Sequence, residues 1–298
     1  MNTSERIMRA LHAADAYGNQ RPIVMLTAYD FISAGIAEEA GVDVILVGDS
    51  AGTTVLGYET TRDVTVDEML MLTRAARRGA PNTCLIGDLP FGSYESDNET
   101  AVAIARRFVE AGADMVKLEG ARQMTDRLRA IADAGIAAVG HVGLLPQGAR
   151  SADELRARGR SSAEAAQIVD DAVQLDAAGA ALIVVEAVPA MVADEIRQRI
   201  RVPLIGIGAG GRLGGQVLVY PDMLGLLHGK VPKFVRRYAN LRADWADAVR
   251  AWAEDVRAGT FPSAAEEYGM PEEERSAFQA LLNEKSPRHP GSADPVRG

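Results

Sequence analysis

Cysteine is almost missing from this chain of 298 residues: Cys84 stands alone. A single cysteine excludes an internal disulfide and any cysteine-built metal cage. Histidine occurs four times, lysine four times against 28 arginines, and aromatic residues make up only 5%. No apolar run approaches the roughly 20 residues that a membrane helix needs. The first twenty residues, MNTSERIMRALHAADAYGNQ, hold no apolar core, which predicts the absence of a signal peptide. Positive charge is also short. The net charge is −9 and the basic residues do not cluster, which argues against a nucleic-acid partner. What is present is the 47% hydrophobic and 24% charged mixture of a globular protein with a sizeable core, not of a disordered chain. These bounds predict an acidic, cytoplasmic protein that handles a small molecule.

One unit recurs along the chain: a helical stretch, then Ala-Gly, then a short aliphatic run that ends in a polar residue. It reads EEAGVDVILVGD (38–49), EAGADMVKLEG (110–120), ADAGIAAVGH (132–141) and DAAGAALIVVE (176–186). The glycine suits a helix C-cap in the left-handed region, and the run has the length of a strand buried on both faces. Four further runs lack the Ala-Gly: IVMLTAYD (23–30), TCLIGDLP (83–90), PLIGIGAG (203–210) and QVLVYPDMLGL (216–226). Helical spacing fills 31–40, 66–78, 98–112, 123–134, 162–178 and 190–200. Alternating strands and helices predict βαβ units and a parallel sheet. Eight such units favour a closed (β/α)₈ TIM barrel, with a doubly wound open sheet as the alternative. Residues 234–257 read as a further amphipathic helix. The expected organisation is one barrel domain with C-terminal helices over 1–283 and a disordered tail over 284–298, rich in Pro, Gly and Ser.

In a parallel barrel the chemistry sits at the carboxyl ends of the strands. Those ends carry Asp30, Asp49, Ser50, Asp88, Lys117, Glu119, His141 and Glu186. Any one of them could simply cap a helix or close a turn. Several carboxylates at one mouth repel each other unless a cation lies among them, and an all-oxygen set points to a hard ion such as Mg²⁺. Asp49, Asp88 and Glu119, from adjacent strands, are the expected metal set. Lys117 and Glu119, two residues apart, face the same side. Lys117 is the only lysine before position 230 and suits a substrate carboxylate; its plain alternative is a neighbour pair with Glu119. Glu186 ends the apolar strand LIVVE, where a carboxylate could act as a general base or as a helix cap. Two motifs are weighed and set aside. GDSAG (48–52) matches a nucleophile elbow, but GTTVLGYETT is a poor start for the required helix and no oxyanion segment precedes the motif. GIGAGG (206–211) matches a dinucleotide fingerprint without a following helix, and reads better as a tight turn.

These residues lie in stretches that together resemble the ketopantoate hydroxymethyltransferase family: MLTAYD, VILVGDSAGTTVLGY, VTVDEML, RAARRGAPN, GDLPFGSY, MVKLEG, GHVGLLPQ, VVEAVP, IGIGAG, GQVLV and PKFVRRYA, in order from about 21 to 240. The resemblance implies a (β/α)₈ barrel of the phosphoenolpyruvate mutase and isocitrate lyase type. It implies Mg²⁺ at Asp49, Asp88 and Glu119, and a 2-oxoacid bound by Asp49, Ser50, Asp88 and Lys117. Glu186 falls at the proton acceptor, and His141 lies in the GHVGL motif at the mouth. The implied reaction moves a hydroxymethyl group from 5,10-methylenetetrahydrofolate to 3-methyl-2-oxobutanoate, in pantothenate synthesis, within a cytoplasmic homodecamer.

Several places depart from the family pattern. After GHVGLLPQ comes GARSADELRARGR (148–160) in place of a GGYKVQGR-like loop. Gly214-Gly215-Gln216 replaces Asp-Gly-Gln, Pro221-Asp222 replaces His-Asp, and Leu72 stands where the family has a histidine. The changed loop leaves a second activity open, a Mg²⁺-dependent carbon–carbon lyase or aldolase on another 2-oxoacid. A decayed paralogue that only binds ligand would have lost some of the strand-end set.

Overall fold

The computed structural model describes residues 3–11, 21–229 and 231–285, in two units, Met1–Leu241 and Arg242–Gly298. The first opens with helix α1 (Thr3–Leu11) and then alternates. Strand β1 (Ile23–Thr27) leads to α2 (Phe31–Glu39), β2 (Val44–Val47), the one-turn α3 (Ala51–Thr54) and α4 (Val66–Gly79). There follow β3 (Cys84–Asp88), α5 (Asn98–Glu110), β4 (Met115–Lys117), α6 (Thr125–Asp133) and β5 (Ala137–Gly143). The series ends with α7 (Ser162–Ala177), β6 (Leu182–Glu186), α8 (Ala190–Arg197), β7 (Leu204–Ile207), β8 (Gly215–Leu218) and the short α9 (Tyr220–Met223). Each strand pairs in parallel with the next, and β8 returns to β1, so the sheet is a closed (β/α)₈ barrel and not an open one.

The recurring Ala-Gly has a single local cause. Gly41, Gly112, Gly135 and Gly179 follow the ends of α2, α5, α6 and α7, all with φ between 76° and 109°. After α2, Gly41 N–H donates to the Glu38 carbonyl and Val42 N–H to that of Ala37, and the other three repeat the pair. This is the Schellman closure, which satisfies the last helix carbonyls and turns the chain straight into the next strand.

Inside the barrel, alternate strand residues form layers: Ile23 and Met25, Val44 and Leu46, Cys84 and Ile86, Met115, Val139, Leu182 and Val184, Ile205 and Ile207, Val217. A second, larger apolar layer lies between strands and helices. The period of two does not stop at the top of the apolar layers. Carried one step further, the inward positions are Asp88, Lys117, His141 and Glu186, which places polar groups over an oily plug.

The other end of the barrel is closed by α1, whose Ala10 joins the inner core. Its Arg6 and the Arg77 of α4 both reach Asp114, at 2.6 Å each, while Leu85 N–H donates to the same carboxylate at 3.0 Å. The Asp114 side chain is fully buried.

The expected helix over 234–257 begins later than its periodicity suggests. Helix α10 spans Leu241–Ala258, and the chain before it, residues 231–240, forms a turn and irregular backbone. Phe234 and Val235 are drawn to the barrel mouth, where they line its cavity. The Phe234 ring lies against Gly208, where a β-carbon would stand 2.5 Å from it. Tyr238 N–H and Leu241 N–H then bond to the carbonyls of Met223 and Leu224. Tertiary packing here overrides an amphipathic pattern.

In the second unit, α10 exposes Trp245, Val249, Trp252 and Val256 along one stripe, and α11 (Glu272–Lys285) comes after it. Helix α11 takes in residues 284 and 285; the rest of the expected tail lies outside the described residues. Among the described residues no helix is long and apolar enough to cross a membrane.

Removing one partner of a buried ion network leaves the others uncompensated. Asp114→Ala is expected to lower stability by roughly 3–5 kcal/mol in urea unfolding. A loss below about 1 kcal/mol, the level of an ordinary surface change, contradicts this role for the network.

Candidate active site

Asp88 and Lys117 are partners in the β3–β4 register, so their side chains leave the sheet side by side. The Lys117 ammonium donates to Asp88 Oδ1 at 2.8 Å and lies 3.5 Å from Glu119 Oε1. Strand β4 ends at Lys117, yet Glu119 still reaches the same side. His141, one strand over, places Nδ1 3.1 Å from Glu119 Oε1 and Nε2 3.4 Å from Glu186 Oε2. The first contact is a hydrogen bond. The second is an ion-pair distance only, because Nε2 has no hydrogen-bond partner.

Asp49 arrives by another route. Strand β2 ends at Val47, and Gly48, Asp49 and Ser50 turn tightly into α3. That turn sends the Asp49 N–H to Asp88 Oδ2 at 3.1 Å. Gly48 takes the inward position instead; a β-carbon there would stand 2.9 Å from Ser50 Oγ and 3.8 Å from Asp88 Oδ2. Ser50 shares its hydroxyl with the buried Tyr29, O to O 2.8 Å. Its backbone is ordinary helix (φ −53°, ψ −18°) and among the described residues no histidine bonds to it, so GDSAG is no nucleophile elbow. Asp30, the remaining strand-end acid, caps α2 and stands outside the set.

Asp49, Asp88, Lys117, Glu119 and His141 are each exposed by 6% or less. Burial alone would discharge Lys117, but Asp88, Glu119 and Asp49 outweigh it and hold the ammonium above the usual lysine range. Burial also opposes the His141 charge, and Glu119 and Glu186 raise it to about 9. Glu119 feels burial upward, but Lys117 and His141 hold it below the usual carboxylate range. The surplus of negative charge falls on the aspartates. Burial, then Asp88 and Glu119, push Asp49 well up, and burial also raises Asp88 despite Lys117.

That surplus is what a hard cation would neutralise, and the donors are all oxygen. Among the described residues no three acidic, histidine or cysteine side chains form a ready-made cage. Mg²⁺ does not need one, since it is held by one or two carboxylates while keeping waters or substrate oxygens. Asp49 and Asp88 fit that demand. The oxygens of Glu119 already have partners, Oε1 in His141 and Lys117 and Oε2 in the Gln147 N–H, and so do those of Asp88, Oδ1 in Lys117 and Oδ2 in the Asp49 N–H; each oxygen keeps a further lone pair for a cation.

Above these groups lies a cavity of about 140 Å³, lined also by Ser50, Glu186 and Phe234. It is smaller than the roughly 300–1,000 Å³ of pockets for larger ligands. The β5–α7 loop, with short 3₁₀ turns at Pro146–Gly148 and Ala152–Glu154 and the departing 148–160 stretch, bounds an open hollow of about 740 Å³ with Arg156 and Arg158. Of the other departures, Leu72 is a core residue of α4, Gly215 sits in β8 and Asp222 lines the mouth.

The sequence pattern of the family described as "Ketopantoate hydroxymethyltransferase" matches residues 8–264. The chain belongs to this family. A relative from Oleidesulfovibrio alaskensis named 3-methyl-2-oxobutanoate hydroxymethyltransferase is 46% identical over 274 residues, covering 91% of this chain and 95% of its own. One of the same name from Rhodococcus jostii is 49% identical over 247 residues, 83% and 84% of the two chains. The barrel is similar to a solved phosphonopyruvate hydrolase complexed with oxalate and Mg²⁺, with TM-score 0.59, 15% identity and 96% and 97% coverage. It is also similar to 2,3-dimethylmalate lyase, of the phosphoenolpyruvate mutase and isocitrate lyase superfamily (TM-score 0.54, 14% identity, 96% of each chain). Ketopantoate hydroxymethyltransferases thus share this superfamily's fold in the present chain.

Three site residues escaped the sequence reading: Gln147, Tyr94 and Tyr29. All are buried and all touch the strand-end set. They lie within GHVGLLPQ, GDLPFGSY and MLTAYD, so the stretches that carry the resemblance were the available signal.

The charge balance has a consequence for stability in the absence of metal. His141 holds its proton to about 9 when folded and to about 6.5 when unfolded, so its contribution is complete below 6.5 and lost as pH rises to 9. Raised Asp49 and Asp88 act in the same direction, because the folded chain binds more protons than the unfolded one. The metal-free protein is expected to lose at least about 1 kcal/mol between these limits, and His141→Asn to flatten the slope. Urea unfolding across the range checks it; a midpoint that climbs with pH contradicts it.

Proposed function

We propose that this chain transfers a hydroxymethyl group from 5,10-methylenetetrahydrofolate to 3-methyl-2-oxobutanoate, giving ketopantoate. The observation that carries this reading is the division of labour among the buried carboxylates. Asp49, Asp88 and Glu119 are tied into one network around Lys117, whereas among the described residues the Glu186 carboxylate meets only His141, at 3.4 Å, and keeps 16% of its side chain open. One carboxylate is therefore free to take a proton.

Asp49 and Asp88 would hold Mg²⁺, with Glu119 adding its charge beside them. The ion would supply Lewis acidity and orientation for the carboxylate and keto oxygens of the oxoacid. Ser50 and Lys117 bind the oxoacid, and the buried ammonium places fixed positive charge where the enolate oxygen gathers negative charge. Glu186 takes the C3 proton on Oε2, and the protonated His141 holds that carboxylate in place. Water opens the methylene carbon of the folate, breaking both of its carbon–nitrogen bonds and protonating both nitrogens, so that the carbanion attacks that carbon at the oxidation level of formaldehyde and the new alkoxide takes back the proton from Glu186. The folate approaches through the open hollow bounded by the β5–α7 loop, whose Arg158 N–H is bonded to the carbonyl after Glu186. Gly143 makes this junction possible: its φ is +94°, and a β-carbon there would stand 2.3 Å from the Glu186 carbonyl oxygen. The family resemblance supports a cytoplasmic homodecamer.

Base and binding groups are separate, so they can be lost separately. Glu186→Gln is expected to retain Mg²⁺-dependent affinity for 3-methyl-2-oxobutanoate while ketopantoate formation falls roughly 10²-fold or more. Calorimetry and a product assay read the two quantities. Near-normal turnover in the variant removes Glu186 from the reaction. Cleavage of a hydroxylated oxoacid without folate would favour the lyase reading instead.

A further inference from the structure

Gln147 makes five hydrogen bonds, and four βα loops meet on it. Its N–H donates to Glu119 Oε2 at 2.9 Å, and its carbonyl accepts from Arg62 at 3.1 Å. Its amide nitrogen donates twice, to Asp49 Oδ2 and to the Leu89 carbonyl, each at 2.9 Å. Its amide oxygen accepts from the Tyr94 hydroxyl at 2.7 Å. The residue is 3% exposed and sits at the root of the β5–α7 loop.

The direction of that amide is dictated. The Tyr94 oxygen accepts the Glu119 N–H at 3.1 Å, which leaves the hydroxyl proton to be donated. The Leu89 carbonyl can only accept, so the NH₂ must face it and Asp49, and the amide oxygen is left facing Tyr94. Asp49 Oδ2 is thereby fixed as an acceptor, and Oδ1 is left for the cavity. No other side chain fits all of these demands: a glutamate would turn acceptors toward Asp49 and Leu89, and an apolar residue would leave both without donors.

We infer that Gln147, held by Tyr94, is a positioning residue that aims the Asp49 carboxylate at the divalent cation. This inference rests on the proposed function, through the assignment of Asp49 to the metal. Partners of this kind set the orientation of a metal-binding carboxylate, and their loss typically weakens affinity 10–100-fold. Because Gln147 is not among the residues that line the cavity, its loss acts on metal affinity through Asp49 and spares the proton transfer at Glu186.

The test is a titration of metal-free protein with Mn²⁺ alone, monitored by electron paramagnetic resonance, with Mg²⁺ as competitor. Gln147→Met, of similar size and without donors, is expected to bind Mn²⁺ roughly 10–100-fold more weakly. Tyr94→Phe removes one hydroxyl and leaves the amide oxygen without its donor, so the amide is held less firmly, and a loss of about threefold to tenfold is expected. In both variants kcat should return when Mg²⁺ is saturating, while the Mg²⁺ concentration for half-maximal rate rises. Should Gln147→Met fail to fold, Tyr94→Phe decides alone. Unchanged Mn²⁺ affinity with only a lower unfolding temperature makes Gln147 a structural crosspiece and overturns the inference. An unsubstituted protein that binds no Mn²⁺ overturns the inference together with the metal assignment beneath it.

Discussion

One buried ammonium holds the mouth of this barrel together. Lys117 faces Asp88 at 2.8 Å and Glu119 at 3.5 Å, with Asp49 close behind, in a space sealed from solvent. Charges removed from water are costly unless paired and hydrogen-bonded. Lys117 and a protonated His141 do not fully balance the four carboxylates around them, and burial, together with that surplus, raises the pKa of Asp49 and Asp88. That surplus of oxygen donors is the arrangement on which the proposed function rests. Stability and chemistry are set against each other here, and the rest of the fold carries the difference.

The barrel delivers these groups by repetition. Each Schellman turn after a helix restarts a strand, and each strand alternates between two apolar environments. When the apolar layers end, the same alternation offers inward positions to polar side chains. The opposite end is used for stability alone, with α1 and the Asp114 network as its closure. Gln147 then ties the mouth across the strands, from the loop after β5 to those after β2, β3 and β4.

Most of this is legible in the residues. All eight strands and the six barrel helices lie where the apolar runs and helical spacing put them, because short buried strands and amphipathic helices differ in period. Asp88, Lys117, His141 and Glu186 are legible for the same reason, as polar ends of apolar runs. Asp49 is legible as a strand end, but its path is not: β2 stops at Val47, and a turn rather than the strand's alternation brings the carboxylate inward. Asp30 looks equivalent in the sequence and is a helix cap. Gln147 and Tyr94 give no periodic signal, since both sit in loops and acquire meaning only through partners far along the chain. The segment at 234–240 has the pattern of a helix and is not one, because its apolar residues serve a different burial, over Gly208 at the mouth.

Membership of the ketopantoate hydroxymethyltransferase family and the geometry of the mouth lead to the same chemistry, abstraction of a proton beside a keto group. The most direct test is proton NMR of 3-methyl-2-oxobutanoate in D₂O with the protein, with and without Mg²⁺ and without folate. The account predicts loss of the C3–H signal that requires Mg²⁺. A C3–H signal that persists while Mg²⁺ and the oxoacid are both bound would contradict it.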